Sequence, residues 1–416
     1  MKLLLPLISL FLPKLKEREK NWKTVFDGTN IKMNHGDKLV WFHAASMGEF
    51  EQAKQIIEDL KSENIKILVT FYSPSGYLHQ KDYPFADAVL YLPADTNSNV
   101  KMFLNKFNPD LCVFVRYEIW HNYLHQCAKR NIPAFLIAAT KPQKSKLISF
   151  EPVKQFYALN YSYFDKIYTV GNRHSDFFKS LDIKSEIITA TDPRFDRIKA
   201  AVEKNRKQEI INREIFGNEF VLVAGSTWPP DEDILVPALE RLNKNNFKYR
   251  CIFVPHEPTE EHLERLAGKT NSILLSELTD MLSKEKDPYK IREALGGKHI
   301  ITDTIGKLLS LYGVADAAYI GGAFGVGVHS VTEPAGYCLP LATGPKINNS
   351  PDAPELLKAG SLTIVRDDSE VEKWLTEISN EETHAQQSKI SEEYIKSRLG
   401  TSDIIIREIK KALQLN

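Results

Sequence analysis

Short apolar runs and amphipathic stretches alternate along the chain. Seven runs in the first half are continuously apolar, the pattern of buried strands: KLVWFHAAS (38–46), IKILVTFYS (65–73), AVLYLPA (88–94), DLCVFVR (110–116), PAFLIAA (133–139), DKIYTV (165–170) and SEIITA (185–190). Helical stretches lie between most of them, and one from Met47 to about Lys61 is predicted as a single helix. This order predicts a parallel sheet with helices on both faces.

A charged stretch without strand signals, Arg197 to Phe216, is the candidate linker to a second series of the same kind. Its predicted strands are FVLVAGS (220–226), RCIFVP (250–255), SILL (272–275), HIITDT (299–304), AAYIGGA (317–323), LPLATG (339–344) and SLTIV (361–365), and a helical tail begins near Glu370. The predicted fold is α/β, with two Rossmann-like, doubly wound domains over residues 1–204 and 205–416. We expect their strand-end loops to face one shared cleft, where ligands of such sheets bind.

The composition agrees with this organisation and excludes some functions. A chain of 416 residues fits two domains, and 43% apolar with 26% charged residues is typical of a soluble globular protein. The 54 basic and 54 acidic residues cancel, so no nucleic-acid partner is expected. Four cysteines (Cys112, Cys127, Cys251 and Cys338) lack the spacing of a zinc site or a disulfide framework.

The N-terminus opens with an apolar run, MKLLLPLISLFLP, followed by a basic-rich stretch. The run is too short to span a bilayer and has no signal cleavage site. Two interpretations stay open. The segment packs under the first domain, or it enters a membrane surface while Lys14, Lys16, Arg18, Lys20 and Lys23 meet anionic head groups.

Three strand-end loops of the first half carry charged groups. Glu49 follows Ser46 by three residues, as in a capping box, and could instead remove a proton from an acceptor hydroxyl. Glu118 is explained either as a first-turn carboxylate or as a second functional acid. Arg194 would either form a surface ion pair or bind a phosphate or carboxylate bidentately.

The stretch from Ala317 to Pro345 contains a predicted strand, a glycine-rich turn and a helix that restarts at Thr332. Pro334 suits the start of a helix, whose unpaired N–H groups and positive dipole end suit an anion or a sugar diol. In the simpler interpretation, the glycines only form a tight turn and Glu333 only caps a helix.

Three further groups in the second half need an explanation. His256 follows a predicted strand, where a histidine is more often a satisfied turn residue. Thr304 is predicted to be an N-cap that leaves the amides of Gly306 and Lys307 available to a phosphate. The acidic run 231–233 has D-x-D spacing but opens a helix, so solvated first-turn carboxylates are predicted and no metal site.

Taken together, six segments resemble the 3-deoxy-D-manno-octulosonic acid (Kdo) transferases, GT-B glycosyltransferases of lipopolysaccharide assembly. They are WFHAASMGEFEQA, PDLCVFVRYEIWHN, TDPRFDR, VAGSTWPPDED, TIGKLLSLYGVADAAYIGGAF and VHSVTEPAGYCLPLATGP. The resemblance implies a GT-B fold and transfer of Kdo from CMP-Kdo to a lipid A precursor of the lipid IVA type. It also implies a peripheral or N-terminally anchored enzyme at the cytoplasmic face of the bacterial inner membrane.

The resemblance also implies roles for particular residues. Glu49 is the expected general base, and Glu118 and Arg194 are expected to assist the transition state. The expected CMP-binding residues are Pro255, His256, Ile305, Gly306, Lys307, Ser330, Val331, Thr332 and Glu333. No metal or other cofactor is expected, because helix N-termini with Arg194 or Lys307 can absorb the charge of the leaving phosphate.

The chain departs from the family pattern at three positions. The family often has Arg-His where this chain has His256-Glu257, a glutamate at Lys307, and His-Asn at His329-Ser330. These departures concern individual contacts with the phosphate and the nucleobase of CMP.

Three alternative functions are compatible with parts of this sequence. A sugar-nucleotide epimerase shares the architecture but has no need of the apolar, basic N-terminus. An NAD-dependent oxidoreductase would use Gly325-Val-Gly327, which is only a partial G-x-G-x-x-G motif. In a non-catalytic lipid- or nucleotide-binding protein, Glu49→Gln would leave the biological output intact.

Overall fold

The structure, a computed structural model, describes residues 13–62, 64–142, 150–207, 209–245 and 248–415. The chain forms two compact units. The first runs to Arg197 and also contains the segment that begins at Arg398, and the second is Ile198–Ser397. The predicted domains were 1–204 and 205–416; the observed boundary lies after Arg197, and the segment from Arg398 belongs to the first unit and not to the second.

The first unit is built on a seven-stranded sheet in which all neighbours are parallel, in the order β3-β2-β1-β4-β5-β6-β7. Each predicted strand of the first half is present. Alternate strand residues belong to two core clusters, one containing Trp41 and Phe114 and the other containing Phe42 and Val113, so both faces are buried. The strands are β1 (Lys38–Ala44), β2 (Ile65–Phe71), β3 (Ala88–Tyr91), β4 (Leu111–Val115), β5 (Ala134–Ala139), β6 (Lys166–Val170) and β7 (Glu186–Ala190).

Helices cover both faces of this sheet. Thr96 shows why one of them starts where it does, since its hydroxyl accepts a hydrogen bond from the amide of Asn99. The helices are α1 (Pro13–Gly28), α2 (Met47–Phe50), α3 (Lys54–Leu60), α4 (Pro74–Gln80), α5 (Asn97–Phe107), α6 (His121–Lys129), α7 (Glu151–Tyr161), α8 (Asn172–Lys179) and α9 (Arg194–Arg206), the last of which contains the boundary between the units.

The single helix predicted from Met47 to Lys61 is wrong, because it is divided into α2 and α3. The amides of Gln52 and Ala53 bond to carbonyls only three residues back, which tightens the chain between the two helices. The side-chain amide of Gln52 donates to Oδ2 of Asp192 at 2.8 Å. This distant partner was not visible in the local pattern.

The last helix, α19 (Thr401–Ala412), belongs to the first unit. Ile405, Ile406 and Ile409 lie in the same core cluster as Phe42. Oδ1 and Oδ2 of Asp196 accept hydrogen bonds from the amides of Gly400 and Ser402 at 2.6 and 2.7 Å and satisfy the start of the helix. An apolar face and a capping carboxylate therefore attach this segment to the first unit.

The N-terminal helix α1 also packs on the first unit. Phe26 is part of its core, and the buried Arg18 donates to the carbonyl of Leu92 at 2.5 Å and lies 4.2 Å from the ring centroid of Tyr72. Of the two interpretations left open for the N-terminus, contact with lipid head groups does not hold for Arg18, because its guanidinium is inside the protein. Residues 1–12 and the side chains of Lys14, Lys16 and Lys20 lie outside the described residues.

Within the described ranges, no helix has the length and apolar character needed to cross a membrane.

The second unit contains another seven-stranded parallel sheet, ordered β10-β11-β9-β8-β12-β13-β14. All seven predicted strands are present. Its core cluster contains Tyr249 and Phe253 from the sheet and Trp374 from a covering helix. The strands are β8 (Phe220–Thr227), β9 (Tyr249–Pro255), β10 (Ser272–Leu274), β11 (His299–Ile301), β12 (Ala317–Ile320), β13 (Leu341–Thr343) and β14 (Leu362–Ile364).

The helices of the second unit follow the strands as a doubly wound sheet requires. They are α10 (Pro229–Lys244), α11 (Glu260–Ala267), α12 (Leu275–Lys284), α13 (Pro288–Leu295), α14 (Leu308–Leu311), α15 (Thr332–Gly336), α16 (Ala353–Ala359), α17 (Asp368–Ile378) and α18 (Glu381–Lys396), with short 3₁₀ turns at Arg213–Phe216 and Tyr312–Val314. The predicted helical tail is therefore present, although its last member packs on the first unit.

Candidate active site

Glu49 lies in the short helix α2, which begins just after β1 at the carboxyl edge of the first sheet. Its Oε2 accepts hydrogen bonds from the amides of Ala45 and Ser46 at 2.8 and 3.2 Å, which is the carboxylate half of the capping box. The side chain is only 6% exposed. Burial raises the pKa of Glu49 above its ordinary value, and the two amides and the charge of Arg116 partly oppose that rise. Capping thus holds in place a carboxylate whose basicity burial increases.

Glu118 follows β4, the neighbour of β1 in the sheet. Its Oε2 accepts a hydrogen bond from Nε1 of Trp120 at 2.8 Å. Burial, followed by the nearby charge of Glu49, raises the pKa of Glu118 to about 7. The structure therefore brings two of the three predicted catalytic residues together and makes one of them a weak acid near neutral pH.

His43 is a buried residue of β1 that sequence reasoning did not select. Its Nδ1 lies 3.1 Å from the carbonyl oxygen and 2.9 Å from Oγ1 of Thr70, while Nε2 lies 4.0 Å from Oε2 of Glu118. Burial lowers the pKa of His43 to about 3, so the ring is neutral. The only sequence signal was a histidine at the end of an otherwise apolar strand.

Arg194 begins α9, close in sequence to β7. Its Nε donates to Oδ2 of Asp192 at 2.9 Å, and the same carboxylate oxygen accepts from Gln52. The ion pair anticipated in the simpler interpretation is present. Because the Arg194 side chain is still 37% exposed and Asp192 is buried, the pair also orients the guanidinium.

In the second unit, three aromatic rings gather at the carboxyl ends of β8 and β9. His256 stacks on His329 with ring centroids 4.4 Å apart and lies 5.0 Å from Trp228. Nε1 of Trp228 donates to Nε2 of His329 at 3.3 Å, and burial lowers the pKa of His329. His256 is therefore part of an aromatic group, whose other two members sequence reasoning did not place in the site.

Helix α15 begins at Thr332, as predicted. The hydroxyls of Ser330 and Thr332 are 3.3 Å apart, and Val331 is the residue before the helix. The charge of Glu333 adds to the effect of burial in raising the pKa of Tyr312 and of Tyr337, the latter to about 12. The charge of Glu333 thus acts on two tyrosines, which a helix-capping carboxylate exposed to solvent would not be expected to do.

The predicted phosphate loop has a different geometry from the one expected. Thr304 is not an N-cap, because α14 starts only at Leu308 and is preceded by Lys307. Gly306 has a φ of +83°, and Ile305 is 85% exposed. The turn through Gly306 delays the helix, and Lys307 has no ion pair within the part of the chain that the structure describes.

The glycine-rich turn after β12 depends on close backbone packing. A Cβ at Gly321 would lie 2.3 Å from the carbonyl oxygen of Ser226, and Gly322 has a φ of +93°. The amide of Gly322 donates to Oδ2 of Asp231 at 3.0 Å. These contacts place the turn beside the loop that carries Trp228.

The acidic run 231–233 opens α10, as predicted, but two of its members are not solvated. Asp231 is buried and also accepts a hydrogen bond from the Tyr319 hydroxyl at 2.8 Å. Glu232 is buried against His262 and Arg265 at 2.7 and 2.8 Å. These carboxylates are occupied by protein donors, and in the described ranges no group of three or more His, Cys, Asp or Glu side chains could hold a metal.

Comparisons with known proteins identify sequences and folds that are similar to this chain. The family described as 3-deoxy-D-manno-octulosonic-acid transferase (kdotransferase) matches residues 14–197. The Kdo transferase of Rickettsia prowazekii is 26% identical over 355 residues, covering 84% of this chain and 74% of the relative. That of Chlamydophila psittaci is 27% identical over 349 residues, covering 81% and 76%.

The chain is a homologue of the Kdo transferases. The relatives that carry this name are glycosyltransferases, the class of enzyme that the sequence motifs suggested. The resemblance found in single segments extends over most of the chain in these relatives, although identity stays near one residue in four.

Solved structures support the fold of this Kdo transferase homologue. A UDP-GlcNAc 2-epimerase from Neisseria meningitidis matches with a TM-score of 0.58 and 15% identity, covering 90% of this chain and 100% of the other. The MurG protein of Acinetobacter baumannii matches with a TM-score of 0.54 and 11% identity, covering 90% and 99%. At such identities the likeness shows the GT-B fold and nothing about the reaction, so the epimerase is a neighbour in fold only.

Proposed function

We propose that this Kdo transferase homologue moves Kdo from CMP-Kdo to a lipid A precursor of the lipid IVA type. The observation that carries the proposal is the pair Glu49 and Glu118, which are 6% and 14% exposed and follow adjacent strands of the unit that the family matches. The names of the relatives, which are Kdo transferases, support Kdo as the sugar that is transferred.

Glu49 acts as the general base. A sugar hydroxyl is a poor nucleophile at neutral pH, so a carboxylate within hydrogen-bond reach must take its proton as it attacks. Burial makes the Glu49 carboxylate more basic than an exposed one, and the amides of Ala45 and Ser46 hold one of its oxygens. The other oxygen can receive the proton.

Glu118 and Arg194 support the displacement. The negative charge of Glu49 helps to raise the pKa of Glu118. With a pKa of about 7, the Glu118 carboxyl group can be neutral or ionised near neutral pH. Arg194 is oriented by Asp192 while remaining accessible to a substrate oxyanion. Positioned charges of this kind stabilise a transition state because they need not reorganise during the reaction.

The second unit binds the CMP part of the donor. His256 belongs to an aromatic group on which a nucleobase can stack, and Ser330, Thr332 and Glu333 offer polar groups at the start of α15. Pro255 and Val331 contribute backbone and shape to the same loops, and the exposed loop with Ile305, Gly306 and Lys307 offers amides and an ammonium to the phosphate. No metal or other cofactor is required in this mechanism.

The acceptor is a lipid, so we place the enzyme at the cytoplasmic face of the bacterial inner membrane, as a peripheral protein whose N-terminal region meets the membrane surface.

The experiment that tests the proposed activity is to incubate the purified protein with CMP-Kdo, generated in place, and a lipid A precursor in detergent. We expect CMP release and a lipid heavier by one or more Kdo units in the mass spectrum. CMP release without a heavier lipid would contradict the proposed acceptor, and no CMP release would contradict the transferase itself.

A further inference from the structure

Four basic side chains lie beyond the carboxyl ends of three neighbouring strands of the first sheet. Arg116 directly follows β4, Lys141 follows β5, and Arg173 and His174 are in the first turn of α8, after β6. Strands β4, β5 and β6 are consecutive in the sheet. Because neighbouring strands are about 4.8 Å apart, the three loops lie side by side.

His174 connects these loops. Its Nδ1 accepts a hydrogen bond from the amide of Lys141 at 2.9 Å, so the proton of the neutral ring is on Nε2. After burial, the charges of Arg173, Arg116 and Lys141 lower the pKa of His174. A neutral imidazole among cations presents a fixed N–H donor.

In the described part of the chain, these cations have no carboxylate in ion-pair contact, although the charge of Arg116 acts on Glu49 and the Lys141 ammonium lies 5.4 Å from the ring centroid of Phe177. Among the residues that the structure describes, no ion pair involves Arg116, Lys141 or Arg173. Nε of Arg116 is buried and lacks a hydrogen-bond partner there. Unpaired charged donors at the edge of an active site indicate that their partner is a ligand.

The backbone is also arranged for an anion. Gly171 precedes α8 and supplies no capping side chain, so the first amides of this helix have no side-chain cap from this residue. Arg116 has a φ of +69°, a conformation that residues with a Cβ rarely adopt. Such backbone strain is most often kept at binding and catalytic positions.

We propose that Arg116, Lys141, Arg173 and His174 bind a phosphate monoester carried by the acceptor. The inference rests on the proposed function, because it names a chemical group that the acceptor presents beside Glu49. Three cations and an N–H donor match a dianion with three acceptor oxygens better than a carboxylate with a single charge. Arg116 lies near both Glu49 and His174, so this group would fix the acceptor hydroxyl relative to the base.

The first test compares acceptors with and without phosphate. Arg173→Gln and Lys141→Gln are each expected to raise KM for the phosphorylated acceptor about tenfold, the usual effect of losing one charged hydrogen bond. KM for the same lipid after phosphatase treatment should not change between these variants and wild type. The matched control is Lys179→Gln, which removes a positive charge from the last turn of the same helix.

The two possible sources of an oxyanion give different results in this test. If KM for CMP-Kdo rises instead of KM for the acceptor, the group is the carboxylate of the donated sugar and the proposal is wrong. An equal effect of Arg173→Gln on the acceptors with and without phosphate would also overturn it.

A second measurement is independent of turnover. Inorganic phosphate added to ¹⁵N-labelled protein should shift the amide signals of Arg173 and His174, and the Lys141→Gln, Arg173→Gln double variant should weaken that binding at least tenfold. Phosphate binding without Kdo transfer would contradict the proposed function and leave this site intact. Kdo transfer by a protein in which phosphate leaves these signals unchanged would overturn the site alone.

Discussion

Nε2 of His43 lies 4.0 Å from Oε2 of Glu118, and the two side chains are 0% and 14% exposed. His43 is neutral, because burial lowers its pKa to about 3, so it provides no positive charge to stabilise the Glu118 carboxylate. Glu118 also lies near the charge of Glu49. These surroundings explain why a glutamate at the edge of the sheet has a pKa of about 7.

Removing the charge of Glu49 should make Glu118 more acidic. We expect Glu49→Gln to lower the pKa of Glu118 from about 7, while burial keeps it above the ordinary value of 4.5. The measurement is a ¹³C NMR titration of the glutamate carboxyl carbons. Glu151→Gln, at a side chain that is 68% exposed, is the control and should leave Glu118 unchanged. A Glu118 pKa that is the same in Glu49→Gln would show that the two acids do not interact.

The elevated pKa of Glu118 should cost stability at alkaline pH. The folded-state pKa lies above 4.5, so the native protein binds this proton more tightly, and the free energy of unfolding falls as pH rises from about 4.5 to about 7. Glu118→Gln removes this loss and should stabilise the protein by about 1–3 kcal/mol at pH 8, with almost no effect at pH 4. Thermal unfolding of both proteins at the two pH values tests this. A difference in Tm that does not depend on pH would contradict it.

The turn after β12 should accept a methyl group at one glycine and reject it at another. Gly322 has a φ of +93°, and a Cβ there would lie 2.5 Å from the carbonyl oxygen of Gly327, so Gly322→Ala should destabilise the second unit by about 1–3 kcal/mol and weaken CMP binding. At Gly325 the nearest atom would be 3.9 Å away. Gly325→Ala is therefore the matched control. Equal Tm values for the two variants would contradict the described turn.

The aromatic group of the second unit should contribute directly to nucleotide binding. His256→Ala removes one ring of the stack and should weaken CMP binding about tenfold, in the range measured for base stacking on a side chain. Isothermal titration calorimetry with CMP measures the change. His79→Ala, in the last turn of α4 of the first unit, is the control. Unchanged CMP affinity in His256→Ala would place the base elsewhere.

The two sheets could be predicted because their signals are local. A continuously apolar run such as that of β4 is buried on both faces wherever it lies in a parallel sheet, and all fourteen predicted strands are present in the structure. The start of α15 at Thr332 was likewise encoded within a few residues. Local patterns were sufficient for these elements.

Features that depend on distant partners were missed. The break after α2 coincides with a contact from Gln52 to Asp192, and α19 returns to the first unit through a core shared with Phe42. Asp231 is buried because Tyr319 and Gly322 satisfy its carboxylate. None of these partners is near in sequence, so no periodicity could indicate them.

In the candidate site, too, residues that matter through contacts with distant partners could not be recognised from the sequence. Glu49, Glu118 and Arg194 were selected from their loops, but His43 and Trp228 are significant only through what they contact in the fold. Arg116 was present in a quoted motif, yet its left-handed backbone and its position between Glu49 and His174 are three-dimensional facts.

The central claim is that Glu49 is the general base of Kdo transfer. The most direct test is single-turnover transfer of Kdo from CMP-Kdo to the lipid A precursor by wild-type protein, Glu49→Gln and the control Glu151→Gln, with CMP affinity measured on each. We predict that Glu49→Gln slows transfer by about 10²–10⁴-fold while its CMP affinity stays within error of wild type. A Glu49→Gln protein that transfers Kdo at the wild-type rate would contradict the account.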